Sequence, residues 1–263
     1  MIATESPTWR EAREAPAEEL GRRLQSAPPE YLEGALDNPA LSEEHLLEIL
    51  RNPGAPASVL QRIGLDPHWT RSYAVKAGLV NHHSTPAAVS LHLINFMFWR
   101  DLARVSDNFH LPPPLRRAAE NLLKDRVQEL ALGERVALAR IAGRGLIPVL
   151  RNESSDMVVS ALLNNTRLTE EDLLLMCNTT KSPKVLTLVG QSERWSARPV
   201  VRLALVRNPR TPLALSVSLL PGLPEADLRD LSQHGRLPRA LRTAALRLIE
   251  DRRRTVAAEA RRP

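Results

Sequence analysis

The chain has 263 residues, 43% apolar and 25% charged, a globular balance sufficient for one or two domains or one elongated repeat array. Aromatics reach only 3% and no stretch is dominated by Val, Ile and Thr, which argues against a large β-sandwich or barrel; a single cysteine excludes a disulfide framework and any multi-cysteine metal or iron–sulfur site. The formal charge is +6 and the pI about 10.2, and only Lys76, Lys124, Lys181 and Lys184 among the 36 basic residues are lysines. An arginine excess is one mark of phosphate recognition, because the guanidinium fork pairs with oxyanions, and it is equally a product of GC-rich coding.

In chain order, Met1–Leu24 carries charges where a secretion signal needs a continuous apolar stretch, and no window approaches about 18 apolar residues. A cytoplasmic chain without membrane insertion is expected. Residues 1–23 read as a leading segment, and from there turn signals recur at Asn38, Asn52, Asn152, Asn165, Asn178 and Asn208. Between them run apolar residues at helical spacing, such as Leu46, Leu47 and Leu50, then Val59, Leu60 and Ile63, then Leu213, Leu215 and Leu219. Each unit fits one short helix and a corner. Asn is expected to end a helix by entering the left-handed conformation, and Ser42 and Thr169, with acids just beyond them, to cap the next. Pro56, Pro86, Pro183 and Pro212 fall where helices start.

The two halves of the chain repeat each other. WTRSYAVKAGLVNHHSTPAAVSLHLI from Trp69 aligns without a gap to WSARPVVRLALVRNPRTPLALSVSLL from Trp195, an offset of 126 residues. The same offset pairs Leu111–Arg126 with Leu237–Arg252, and Asn38–Leu47 parallels Asn165–Leu174 with a slip of one. A tandem duplication follows, with solenoid halves at 24–149 and 150–252 and a basic tail at 253–263. Short amphipathic helices cannot bury their stripes alone, so stacking them into an all-α solenoid is the expected outcome. Trp69 and Trp195 read as equivalent packing anchors. Residues 127–149 keep helical spacing without a Gly/Ser/Pro-rich break, so one continuous body is expected.

Val201–Leu220, VRLALVRNPRTPLALSVSLL, resembles the leucine-rich-repeat-variant consensus of bacterial α-solenoids, with Asn208, Pro209, Thr211 and Pro212 on its corner positions. Around His82 and His83 only Thr85-Pro86 keeps that pattern. More loosely, residues 24–252 resemble HEAT-like repeat proteins. The resemblance implies a right-handed superhelix of helical hairpins whose concave face binds other macromolecules. The cysteine cluster that some relatives use for iron–sulfur is not carried over, since only Cys177 is present.

Catalytic motifs are missing: there is no G-x-S-x-G, H-E-x-x-H or Walker loop. His82-His83 aligns with Asn208-Pro209, which favours a turn over a metal site, and the pairs Glu43-Glu44 and Glu170-Glu171 read as helix-start charges. No enzyme activity and no cofactor are expected. Candidate binding residues are Arg198, Arg202, Arg207 and Arg210 along one helix and its corner, and Arg116, Arg117 and Arg126, echoed by Arg242 and Arg252. A third group is Arg252–Arg254 with Arg261 and Arg262. Asn95–Arg104 is the most aromatic stretch, and its counterpart Pro221–Arg229 lacks the bulk. Phe96, Phe98 and Trp99 therefore either fill a junction between the halves or form an exposed hot spot. A protein partner on the concave surface is the leading expectation, with duplex backbone gripped by arginines as the alternative.

Overall fold

A computed structural model describes residues 6–259, with side-chain surroundings to residue 255. Every regular element among the described residues is helical. The chain divides into two compact units at residues 128 and 129. Unit 1 contains α1 Pro7–Glu14, α2 Ala17–Arg23, α3 Pro29–Ala35, α4 Glu43–Arg51, α5 Ala57–Leu65, α6 Tyr73–Asn81, α7 Ala87–Leu93, α8 Trp99–Asp107 and α9 Pro113–Arg126. Unit 2 contains α10 Leu132–Ile141, α11 Ile147–Leu150, α12 Asp156–Leu163, α13 Glu170–Thr179, α14 Pro183–Gln191, α15 Glu193–Ser196, α16 Pro199–Arg207, α17 Leu213–Leu219, α18 Glu225–Gln233 and α19 Arg239–Glu259.

Alternate helices lie against one another: α4 on α6 on α8 and α5 on α7 on α9 in unit 1, α10 on α12 on α14 on α16 in unit 2. Helices of two to three turns bury one stripe each in such rows, which short length and amphipathic spacing require. Helix starts recur at the sequence offset. α14, α16, α17, α18 and α19 begin 126 residues after α5, α6, α7, α8 and α9. Val75, Leu79 and Val80 are buried, as are Val201, Leu205 and Val206. At about 1.5–3 kcal/mol per fully buried aliphatic side chain, these stripes supply most of the stabilisation.

The corners work differently from the sequence-based expectation. No described residue, glycine included, has positive φ. At these corners the helix ends instead on an extended residue, such as Asn52 at φ −77°, ψ 110° and Asn208 at φ −77°, ψ 119°. What asparagine contributes is its buried amide. Asn52 Nδ2 donates to Leu24 O at 2.9 Å and Ala27 O at 3.0 Å, while its Oδ1 accepts from Gly54 N at 2.8 Å. Asn38 does the same to Ala12 O and Ala15 O, Asn165 to Ala139 O and Ala142 O, and Asn208 to Cys177 O and Thr180 O. Each amide thus satisfies carbonyls left over at the end of a preceding turn and ties two corners together.

His82 reproduces this pattern with a ring: Nε2 donates to Asn52 O at 2.9 Å and Nδ1 accepts from Ser84 N at 3.2 Å. Its tautomer is set by those partners. Asn178 is not a corner, since it lies within α13, and Thr180 takes the role by accepting from Ser182 N. Thr169 caps α13 in a reciprocal pairing with Asp172, whereas at Ser42 the reciprocal partner is His45, whose Nδ1 accepts from Ser42 N.

Candidate interaction surface

The arginines expected to reach outward are mostly engaged within unit 2. Arg198 Nη1 donates to Glu170 Oε2 at 2.7 Å, and Arg207 Nη2 to Asp230 Oδ2 at 2.7 Å. Arg202 Nε donates to Ser196 O, and its guanidinium lies over Gly222, where a Cβ would overlap it. Arg210 is exposed and makes no ion pair among the described residues. With Lys181, Arg207 and Asn208 it lines a cleft of about 360 Å³.

In the second group, Arg126 and Arg252 are clamps on the backbone. Arg126 donates to Met97 O and Asn95 O, and Arg252, one offset later, to Leu223 O and Pro221 O. Arg116 stacks on Phe109 at 5.0 Å, and the Nε atoms of Arg116 and Arg242 are buried without a hydrogen-bond partner in the described structure. Arg117 is exposed. In the tail, Arg253 pairs with Glu225 at 2.9 Å; Arg261 and Arg262 lie outside the described residues. Hydrogen bonds from Arg253 and then Arg229 hold the Glu225 carboxyl below the usual carboxylate range.

The aromatic stretch separates into two environments. Trp99 packs within α8 at 9% exposure and is a core residue, not a surface one. Phe96 and Phe98 remain 52% and 64% exposed at the turn between α7 and α8. Tyr73 fixes this turn: its ring lies 4.4 Å from Phe98, its hydroxyl donates to Asp101 and accepts from Phe98 N at 3.1 Å. Burial, then that bond to Asp101, raises the Tyr73 pKa, so the hydroxyl stays a donor at neutral pH. Lys76 Nζ stands 5.1 Å from the Phe96 centroid and His92 meets the ring edge at 5.6 Å. In unit 2 the corresponding positions hold Gly222, Pro224 and Arg202, and the guanidinium occupies the space over the glycine. The two phenylalanines therefore have no aromatic counterpart at the matching positions of unit 2.

The tryptophan pair also diverges. Trp195 is 1% exposed, donates its indole N–H to Leu163 O at 2.9 Å, and is flanked by Arg194 at 4.4 Å and Arg198 at 5.0 Å. Trp69 is only half-buried, so the expected equivalence as anchors holds for Trp195 alone. Beside Trp69 opens a cleft of about 450 Å³, also lined by Ser42, Glu43, His68, Arg71 and Ser72. Sequence reasoning passed over this cleft, although the exchange of Arg198 for Ser72 at one offset was its visible signal.

Both ring nitrogens of His82 serve the corner just described, and His83 stacks on it at 4.9 Å. Cys177 is buried in α13, which pushes its thiol up to about 12. Among the described residues no three His, Cys, Asp or Glu side chains gather as a metal site, and no helix is long and apolar enough to cross a membrane. Searches of family models, curated proteins and solved structures find no match to this chain.

Proposed function

We propose that this chain is a non-enzymatic interaction scaffold: a tandemly duplicated, HEAT-like right-handed α-solenoid of the leucine-rich-repeat-variant type that binds a protein partner. The observation that carries the reading is the exposure of Phe96 and Phe98 on a turn held rigid by Tyr73 and Asp101. Two rings without an aromatic counterpart in unit 2, preorganised and rimmed by Lys76 and His92, have the chemistry of an interface anchor. The contact is thus by way of the α7–α8 turn, in addition to any concave face implied by the resemblance.

Nucleic-acid binding is the second reading. Lys181, Arg207 and Arg210 favour it, because their counterparts Ala55, Asn81 and Ser84 carry no charge. The internal pairing of Arg198 and Arg207 counts against it. One experiment separates the two. Crosslinking capture of partners is compared for the native chain, Phe96→Ser/Phe98→Ser, and Arg198, Arg202, Arg207 and Arg210→Ala, beside anisotropy of labelled duplex DNA at low and physiological salt. Capture lost only in the phenylalanine variant supports the protein reading. Salt-sensitive DNA binding lost only in the arginine variant replaces it with the second.

A further inference from the structure

Unit 2 contains a worked example of what can fill the place that stands open beside Trp69. There Arg194 and Arg198 cover the Trp195 ring, and Arg198 also donates to Glu170. At the matching positions unit 1 has His68 and Ser72, while the acid is retained as Glu43, one residue off the main offset. With Ser72 in place of the second arginine, the half-buried Trp69 and the exposed Glu43 carboxylate line one cleft, and the His68 ring packs edge-on against the indole at 4.6 Å. Ser72 Oγ donates to Glu43 Oε1 at 2.5 Å and so holds the carboxylate at the cleft wall.

We propose that this cleft receives an arginine side chain presented by the protein partner, its guanidinium stacked on Trp69 and paired with Glu43. The planar fork suits both contacts at once, which the compact lysine ammonium does not. Arg71 also lines the rim and opposes a cation there. Ser72 adjoins Tyr73, which carries the Phe98 contact, so arginine cleft and aromatic turn lie side by side. The inference deepens the protein-partner reading by naming one side chain of that partner.

The test uses the full chain labelled with 15N and follows the Trp69 indole N–H, assigned by its absence in Trp69→Phe. N-acetyl-arginine methylamide should shift this resonance saturably, and the lysine analogue should not. Glu43→Gln should weaken the arginine compound by about two- to fivefold, the range of an exposed ion pair, and Arg71→Ala should tighten it. Ser72→Arg should fill the cleft from within and abolish the response. Arg198 already occupies the corresponding N-cap of α16, so the fold accepts that residue, and the other three indole signals report integrity. No saturable shift, an equal shift with the lysine analogue, or an unchanged titration in Ser72→Arg overturns the proposal. None of these outcomes alters the Phe96→Ser/Phe98→Ser result, so the cleft and the aromatic turn fail or stand separately.

Discussion

A single amide decides each corner. Asn52 serves two carbonyls and one N–H while nearly buried, so Asn52→Ala leaves three backbone groups unsatisfied and should cost about 3 kcal/mol by urea denaturation. Asn52→Asp should be no better, because a carboxylate cannot donate to Leu24 O and Ala27 O. At the ring-bearing corner, His82→Asn should stay within about 1 kcal/mol of the native chain, because Asn208 shows the amide in the same role; His82→Ala, which strands one carbonyl and one N–H, should cost about 2 kcal/mol. For Cys177 the sign runs toward the neutral thiol. Its folded pKa of about 12 exceeds the ordinary thiol value of 9.0, so the stability associated with the neutral group is complete below pH 9.0 and lost as pH rises toward 12. Native protein at pH 8 should therefore resist a thiol reagent that labels it promptly in urea.

Between helices, glycine sets how closely neighbours approach. A Cβ at Gly34 would overlap the Trp9 carbonyl oxygen, so α1 sits on α3 only while that position is bare. Gly34→Ala should destabilise by about 2 kcal/mol, since backbone cannot swing aside as a side chain can. Gly222 differs because its neighbour is the Arg202 guanidinium. Gly222→Phe alone should be costly. Combined with Arg202→Lys it recreates the Lys76–Phe96 pairing of unit 1, and a double-mutant cycle should show a favourable coupling of about 1 kcal/mol. Neither glycine was distinguishable by composition from one in an ordinary loop, because the requirement comes from an atom on another helix.

At the scale of the molecule, each unit has its own buried stripe and its own rows of alternating helices. The one continuous body expected from the sequence predicts a single calorimetric transition with equal calorimetric and van't Hoff enthalpies; two transitions would mark independently unfolding units. The +6 charge belongs to this scale as well. With Arg198 and Arg207 of the first arginine group already paired to acids, DNA binding at physiological salt should be weak.

The helical class, the short helix lengths, and the recurrence at 126 residues could be read directly from spacing and capping residues, because they depend on neighbours three and four positions away. The corner signals at Asn38, Asn52, Asn165 and Asn208 were legible too, but their reason was not. Left-handed termini were expected, and amides bridging successive turns were found, since their partners lie more than 20 residues away. The candidate surface divided along the same line. Phe96, Phe98 and Trp99 stand within four residues of sequence, yet helix phase buries Trp99 in α8 and leaves the other two outside. Arginines that looked alike in the chain became ion pairs, backbone clamps or free charge according to which acid or carbonyl folding placed opposite them. The Trp69 cleft was least visible of all, because it is a space, and a space exists only once the side chains around it have been packed.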